Sequence, residues 1–245
     1  MKNEIHNDTA TSGTSLKIDG LSARYDKRAV LTDIDLSVGA GEIIAVLGHN
    51  GAGKTTLLQS IMGIHVERSG RIECFGADIS RQPYYRNAAS GISFTPADAP
   101  VFRPLSVEAN LRLGTYATAP ADIDERLEGV YATFPKLKER RLQAAGTLSG
   151  GEQRMLAVSM AVMNKPRLML LDEPSIGLAP ATADRIMNEI AAMSKVFGTS
   201  VLIVDQNVRS ALRISSRVYF LRMGRIILEE PAVVSAKREH YWDLF

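Results

Sequence analysis

The period of the hydrophobic pattern changes along the chain, and each change predicts a different element. Ile34, Leu36 and Val38 alternate with polar residues, which is typical of a strand with one buried and one solvated face. The nearly continuous apolar run of residues 43–47 predicts a strand that is buried on both faces. A helical stripe follows it, and its apolar residues are Leu57, Leu58, Ile61 and Met62.

The middle of the chain, at about residues 97–163, has the pattern of helices. Ser106 is a candidate N-cap, and Glu108 lies in the first turn that would follow it. We predict a helix-rich block here. Apolar residues further along recur at the spacing of an amphipathic helix, namely Ile123, Leu127, Val130, Tyr131 and Phe134.

Beyond this block the pattern returns to strands and helices in alternation. The apolar runs at 168–171 and 201–204 predict two more buried strands, with a helix near 180–197 between them. Residues 218–228 predict a hairpin. Strands that alternate with helices indicate an α/β fold with a parallel core, into which the helical block is inserted.

Composition narrows the class of protein without indicating its chemistry. The 245 residues are 45% hydrophobic and 23% charged, with a formal net charge of +2, so no nucleic-acid partner is indicated. Cys74 is the single cysteine, which excludes an internal disulfide and a cysteine-rich zinc site. No apolar run approaches the roughly 18 residues of a membrane span, so we expect a soluble, cytoplasmic protein. Residues 1–15 are polar and non-periodic, and we expect a disordered tail before ordered sequence begins near Leu16.

A glycine-rich segment after the predicted strand at 43–47 matches the pattern G-x-x-x-x-G-K-[ST], although a plain turn before a helix is the alternative. Glycines let the backbone bend so that successive N–H groups point at phosphate oxygens, and the following helix adds its positive dipole end. Lys54 supplies a cation for the β- and γ-phosphates, and Thr55 supplies a hydroxyl for Mg²⁺. The predicted nucleotide-binding residues of this phosphate loop are Gly48, His49, Asn50, Gly51, Ala52, Gly53, Lys54, Thr55 and Thr56.

Two carboxylates follow the apolar run at 168–171, and a parallel sheet would place them beside the phosphate loop. Asp172 is predicted to hold Mg²⁺ through water, and Glu173 to orient or polarise the attacking water. Alone, this segment would be better interpreted as a strand that ends in a solvated acidic turn. Its position after a phosphate loop in an alternating α/β chain favours catalysis, with Glu173 and Lys54 as catalytic residues and Thr55 and Asp172 as metal ligands.

Residues 148–153 read Leu-Ser-Gly-Gly-Glu-Gln. Ser149 and Glu152 have the spacing of a capping box that opens a helix, and a capped helix N-terminus is also an anion site. The order of phosphate loop, L-S-G-G-[EQ] and an apolar strand ending in Asp-Glu resembles that of the ATP-binding cassette (ABC) ATPases. The resemblance covers nearly all of residues 16–230.

This resemblance implies a phosphate-loop NTPase fold for one nucleotide-binding domain at 16–245. The domain would have a RecA-like parallel-sheet core, an antiparallel β subdomain and a helical subdomain inserted at about 97–163. In this family two subunits pack head to tail, either as a homodimer or as a heterodimer with a second ABC ATPase.

The resemblance also implies roles for residues outside the phosphate loop. Ser149, Gly150 and Gly151 would bind the partner subunit's nucleotide, with Ser149 and Gly151 at its γ-phosphate. Tyr25 would stack on the adenine, although a lone tyrosine is as often a packing residue. The cofactors implied are ATP and Mg²⁺.

Five segments, at 95–102, 105–111, 148–157, 173–180 and 204–207, resemble the ATPases of branched-chain amino acid importers and of their amide- or urea-transporting relatives. This branch implies that ATP hydrolysis drives transport through separate membrane permease subunits. A periplasmic or extracellular solute-binding protein would take part indirectly. The chain would then be peripheral, at the cytoplasmic face of the plasma (inner) membrane.

Two positions depart from the usual ABC pattern. Ala97 stands where the Q-loop normally has Gln or Glu, and its methyl group cannot contact Mg²⁺ or water, although the adjacent Asp98 could substitute. We therefore expect slow hydrolysis or atypical coupling. Gln206 stands in place of the switch histidine, as in the branch, and as a candidate catalytic residue it can still donate a hydrogen bond to the γ-phosphate. A soluble non-transport ABC ATPase and an ATP-binding regulatory subunit with weak hydrolysis remain alternatives.

Overall fold

The computed structural model describes residues 13–64, 66–98, 100–115, 122–238, 241 and 244. The strands in chain order are β1 Thr14–Tyr25, β2 Arg28–Gly39, β3 Ile43–Leu47, β4 Glu67–Cys74, β5 Ala77–Asp78, β6 Ile92–Thr95, β7 Leu168–Asp172, β8 Ser200–Asp205, β9 Arg217–Arg222 and β10 Arg225–Pro231. The helices are α1 Lys54–Met62, α2 Tyr84–Ala89, α3 Val107–Leu113, α4 Ile123–Thr133, α5 Pro135–Glu139, α6 Gly150–Val162, α7 Pro180–Phe197, α8 Val208–Ile214 and α9 Ala232–Ser235.

The first sheet is antiparallel, with the strand order β2-β1-β4-β5. Ile34, Leu36 and Val38 on β2 are buried, whereas Asp33 and Asp35 between them are exposed. The alternation in the sequence therefore correctly predicts a strand with one buried face, because successive side chains of a strand point to opposite sides.

β1 begins earlier than the sequence predicts. Thr14 already pairs with Gly39 on β2, and the buried hydroxyl of Ser15 lies 2.8 Å from that of Ser200. The predicted start at Leu16 is therefore two residues too late, since a polar residue that pairs with a partner distant in sequence leaves no local pattern. Residues 1–12 of the predicted tail lie outside the described residues.

The second sheet has the order β10-β9-β3-β8-β7-β6. The five strands from β9 to β6 in this order run parallel to one another, which confirms the α/β core. The edge strand β10 runs antiparallel to β9, which confirms the predicted hairpin. The strands β3, β7 and β8 are almost fully buried, in agreement with their continuous apolar runs. Their carboxyl ends meet at one edge of the sheet, where the phosphate loop begins and the predicted carboxylates lie.

The helices α3 to α6 lie within the predicted helical block and pack around an apolar cluster distinct from those that cover the sheets. Ser106 accepts a hydrogen bond from the Ala109 amide and so caps α3, as its sequence position predicts. The buried Asn110 makes four hydrogen bonds to the backbone of residues 102–106, which orders the loop that leads into the block. None of the described helices is both long and apolar enough to cross a membrane.

The turn between β9 and β10 connects the second sheet to β2 and to the phosphate loop. The Gly224 amide donates to the Ala52 carbonyl at 2.9 Å, and its own carbonyl accepts from the Thr32 amide at 2.8 Å. Gly224 has a φ of +76°, and a Cβ placed on it would lie 2.0 Å from the Val30 carbonyl oxygen. This position therefore requires glycine for both conformation and space.

We expect Gly224→Ala to lower the free energy of unfolding in urea by roughly 1–3 kcal/mol more than Gly76→Ala does. Gly76 is the matched control, because its φ is +80° but a Cβ there meets no described atom within 4 Å. Both variants carry the cost of a left-handed alanine, and Gly224→Ala adds the steric conflict. Equal losses of unfolding free energy in the two variants would show that β2 accommodates a Cβ at residue 224 without a further steric cost.

Candidate functional site

The phosphate loop connects β3 to α1 at the carboxyl edge of the second sheet, as predicted. Gly51 and Gly53 adopt φ values of +82° and +110°, a region that residues with a Cβ rarely enter. Gly53 ends the loop as the N-cap of α1. Both glycines therefore stand where the backbone conformation disfavours a residue with a Cβ.

The side chain of Lys54 is buried at the centre of the site, with 4% exposure. Its ammonium donates to the carbonyl oxygens of Gly48 at 2.8 Å and His49 at 3.1 Å. It also lies 3.0 Å from a carboxylate oxygen of Glu173. A buried ammonium needs such partners, and this one is held between the phosphate loop and the acidic turn after β7.

Thr55 and Asp172 lie together, as their predicted shared role requires. The Thr55 hydroxyl donates to Asp172 Oδ2 at 2.8 Å. The other oxygen, Oδ1, is buried and has no hydrogen-bond donor among the described residues. Burial raises the pKa of the Asp172 carboxyl, because the charged form loses water. A hydroxyl and a carboxylate with a free oxygen fit Mg²⁺, which takes oxygen ligands and is held by few protein groups when it arrives with phosphates.

Glu173 follows β7 in an unusual backbone conformation, with a φ of +45°. Its amide donates to the Val204 carbonyl at 2.8 Å, and its own carbonyl accepts a hydrogen bond from Arg154 Nη1. A non-glycine residue in this region carries strain that its surroundings must hold. The conformation aims the Glu173 side chain at Lys54 rather than at solvent.

Asp205 is a third buried carboxylate and ends β8. In the sheet, β8 lies between β3, which leads into the phosphate loop, and β7, which leads into the acidic pair. One oxygen of Asp205 accepts hydrogen bonds from the Ser175 hydroxyl at 2.9 Å and from the amides of Gln206 at 2.7 Å and Asn207 at 2.9 Å. Burial raises the pKa of the Asp205 carboxyl, and these donors oppose that effect. The sequence predicts no separate role for Asp205, although its position after an apolar strand run, like that of Asp172, is a usable signal.

A cleft of about 540 Å³ lies beside the phosphate loop and is lined in part by Tyr25, Lys54, Thr55 and Glu173. The Tyr25 ring is 38% exposed, and its hydroxyl donates to Gln59 of α1 at 2.5 Å. The ring therefore lines the cleft beside the phosphate loop instead of packing in the core. Its stacking on adenine stays a prediction.

The L-S-G-G segment forms the capping box that its spacing predicts. The Ser149 amide donates to Glu152 Oε2 at 2.9 Å, and Ser149 Oγ accepts from the Glu152 amide. Ser149 and Gly150 are exposed, and none of the three predicted signature residues is among the described residues that line the cleft. Within one chain, the signature therefore does not share the cleft with the phosphate loop.

Gln206 and Ala97, the two residues that depart from the usual ABC pattern, have different surroundings in the structure. Gln206 is exposed directly after β8, and its predicted role toward the γ-phosphate stays a prediction. The Ala97 carbonyl accepts a hydrogen bond from Arg154 Nη2 at 3.0 Å. Arg154 is a residue that the sequence analysis missed, because its contacts are to backbone groups far along the chain. Its position one turn after the signature serine was the available signal.

Comparisons with known proteins agree with this geometry. A family model described as ABC transporter matches residues 31–176. BraG of Pseudomonas aeruginosa, a high-affinity branched-chain amino acid transport ATP-binding protein, is 41% identical over 88% of this chain and 92% of its own length. LivF of Archaeoglobus fulgidus, a probable branched-chain amino acid transport ATP-binding protein, is 36% identical over 86% of this chain and 90% of its own length.

Two further relatives widen the comparison. LptB of Haemophilus influenzae, the ATP-binding protein of a lipopolysaccharide export system, is 34% identical over 86% of this chain and 88% of its own length. The structure of cbiO1 from Clostridium perfringens, part of an ABC transporter complex, has a TM-score of 0.83 and 26% identity over 93% of this chain and 92% of its own. This chain therefore belongs to the ABC transporter family, as an ATP-binding ATPase of the branch that includes LivF.

Proposed function

We propose that this chain is the ATP-hydrolysing subunit of an ABC importer for branched-chain or related amino acids, or for amides or urea. Hydrolysis is supported by Lys54, Thr55 and Glu173, which line one cleft. It is also supported by Asp172, which accepts a hydrogen bond from Thr55 behind that cleft. The solute class is supported by a single observation, the 41% identity to BraG over 88% of the chain.

The contacts of these side chains support the roles that we propose for them. Tyr25 stacks on the base at the outer end of the cleft, and the phosphate-loop amides and Lys54 bind the phosphates. Thr55 and Asp172 would hold Mg²⁺, which would supply positive charge to the phosphate oxygens when it is bound. Because the Lys54 ammonium is shared between carbonyls and Glu173, it can turn to a phosphate and leave the Glu173 carboxylate free. Glu173 then orients the attacking water in line with the bond that breaks.

The site is proposed to be completed by a second subunit. Ser149, Gly150 and Gly151 of the partner approach the phosphates from the open side of the cleft, and this chain offers its own signature in return. The exposure of Ser149 and Gly150 at a capped helix N-terminus supports this role, because such an end binds anions. The partner is a second copy or a similar ABC ATPase, and Gln206 contributes a hydrogen bond to the γ-phosphate.

Transport itself is assigned to separate proteins. Membrane permease subunits carry the solute, a periplasmic or extracellular solute-binding protein delivers it, and this chain acts peripherally at the cytoplasmic face of the plasma membrane. No nucleic-acid partner is proposed, given a formal net charge of +2. We infer one nucleotide-binding domain that begins with β1 at Thr14, instead of at the predicted residue 16, and that includes a helical subdomain at about 97–163.

Export is the second candidate function, because LptB is 34% identical over 86% of the chain. Uptake of radiolabelled leucine, isoleucine and valine into vesicles that hold the permease subunits which co-purify with this chain decides between the two. ATP-dependent accumulation supports the importer. Co-purification with subunits that move solute outward, without such accumulation, would support an exporter. ATP turnover without any membrane partner would favour a soluble ABC ATPase.

We expect Lys54→Ala to reduce ATP hydrolysis by about 100-fold or more, because it removes the cation that the site directs at the phosphates. Initial rates of phosphate release measure this loss, and binding of a fluorescent ATP analogue shows whether affinity falls as well. Lys138→Ala is the matched control, since Lys138 pairs with Glu128 on the surface of the helical block. Unchanged hydrolysis in Lys54→Ala would show that the phosphate loop is not the site.

We expect Glu173→Gln to abolish turnover while ATP still binds, because the amide keeps the shape of the side chain but loses the charge that polarises water. ATP should then hold two subunits together, which size-exclusion chromatography with light scattering detects as a doubled mass. Glu128→Gln, an exposed surface change, should turn over ATP normally. A Glu173→Gln protein that stays monomeric in ATP with every candidate partner ATPase present contradicts the proposed dimer.

We expect Ala97→Gln to raise the hydrolysis rate of the complete transporter by about tenfold, the effect of one added hydrogen bond in the transition state. Steady-state ATPase rates of the two complexes in lipid nanodiscs provide the comparison. Ala97→Leu is the control, since it adds volume without a polar group. A rate equal to that of the unmodified protein would mean that the alanine does not limit hydrolysis.

A further inference from the structure

Arg154 lies on α6, one turn after the signature serine, and its half-buried guanidinium contacts two separate segments. Nη1 donates to the carbonyl of Glu173 at 2.5 Å, and Nη2 donates to the carbonyl of Ala97 at 3.0 Å. Glu173 lies in the turn after β7, whereas Ala97 follows β6, the neighbouring strand. One side chain of the helical block therefore connects the carboxyl ends of two adjacent strands.

The charge around Arg154 suits this position. Burial lowers the pKa of the guanidinium, but the nearby carboxylates of Asp205, Glu173 and Asp98 favour its charged form. Arginine remains protonated in proteins, and its planar fork can direct two N–H groups at two acceptors at once. The carboxylates stabilise the cation, while the hydrogen bonds that it donates to Glu173 and Ala97 go to backbone carbonyls.

One of these hydrogen bonds acts on a residue that has an unfavourable backbone conformation, Glu173. With a φ of +45°, Glu173 needs both of its backbone groups to be held. Its amide is fixed by the Val204 carbonyl and its carbonyl by Arg154. Loss of the second bond frees the turn to relax, and the direction of the Glu173 side chain would change with it.

We propose that Arg154 is a positioning residue that sets the Glu173 carboxylate for hydrolysis and ties the Ala97 segment to it. The bond to Ala97 uses the main chain, so it does not depend on the Q-loop side chain that this sequence lacks. Any displacement of α6 relative to the sheet moves both carbonyls together. This inference rests on the proposed catalytic role of Glu173.

The test compares Arg154→Ala and Arg154→Lys with Arg126→Ala in the assembled transporter. Arg126 is the matched control, since it also lies in the helical block and donates to a backbone carbonyl, that of Met163 at 2.7 Å, away from the cleft. We expect both Arg154 variants to lower kcat by about 10- to 100-fold, the range for small misplacement of a catalytic group, with ATP affinity changed less than about twofold. Lysine retains the charge but not the fork, so it should not restore the rate.

Hydrogen exchange of the isolated chain, measured by mass spectrometry, tests the bridge without any hydrolysis. We expect faster exchange at residues 96–98 and 175–178 in both Arg154 variants and no change there in Arg126→Ala. Equal exchange and equal kcat in Arg154→Ala and Arg126→Ala would overturn the proposal, as would full activity in Arg154→Lys. If the unmodified protein does not hydrolyse ATP, the proposed function fails, and the exchange result still decides whether the bridge exists.

Discussion

The site depends on the parallel register of β3, β8 and β7. Leu47, the last residue before the phosphate loop, pairs with Asp205, and Asp172 pairs with the adjacent Val204. This register brings the phosphate loop, Asp205 and the acidic pair to one level at the edge of the sheet, although they come from distant parts of the chain. A shift of one residue in either pairing would turn the side chains to the opposite face.

The two buried carboxylates Asp205 and Asp172 differ in whether both of their oxygens accept hydrogen bonds. Asp205 has donors on both oxygens, since Ser175 contributes its amide to one and its hydroxyl to the other. Asp172 has only the Thr55 hydroxyl, and its second oxygen has no donor within the described part of the chain. An unpartnered buried carboxylate oxygen is costly unless a cation offsets it. This difference favours Asp172 as the metal ligand. It favours Asp205 as the residue whose hydrogen bonds connect the turn after β7 to the turn after β8.

The sequence predicts local features of this fold well and long-range contacts poorly. The apolar runs, the capping box at Ser149 and the hairpin after β9 depend on neighbours within a few residues, so each leaves a periodic or spacing signal. The start of β1 depends on Ser200, and the placement of Arg154 depends on two distant carbonyls. Such contacts join backbone groups or small hydroxyls, which have no characteristic sequence pattern. The loss of a Q-loop side chain at Ala97 is readable from the sequence, but the use of its carbonyl is not.

The first turns of α6 connect two different sites. Ser149 and Gly150 are exposed at its N-terminus, where the proposed partner's nucleotide binds, and Arg154 faces the chain's own Glu173. Arg154 follows Gly150, the first residue of α6, by four positions, which is a rise of about 6 Å along a rigid element. A phosphate that binds at the N-terminus of α6 would therefore constrain the segment that holds Glu173 in the opposite site. Because the dimer proposed here is reciprocal, each nucleotide would help to position the carboxylate that hydrolyses the other, and a partner that lacks an arginine at this position would make that dependence one-sided.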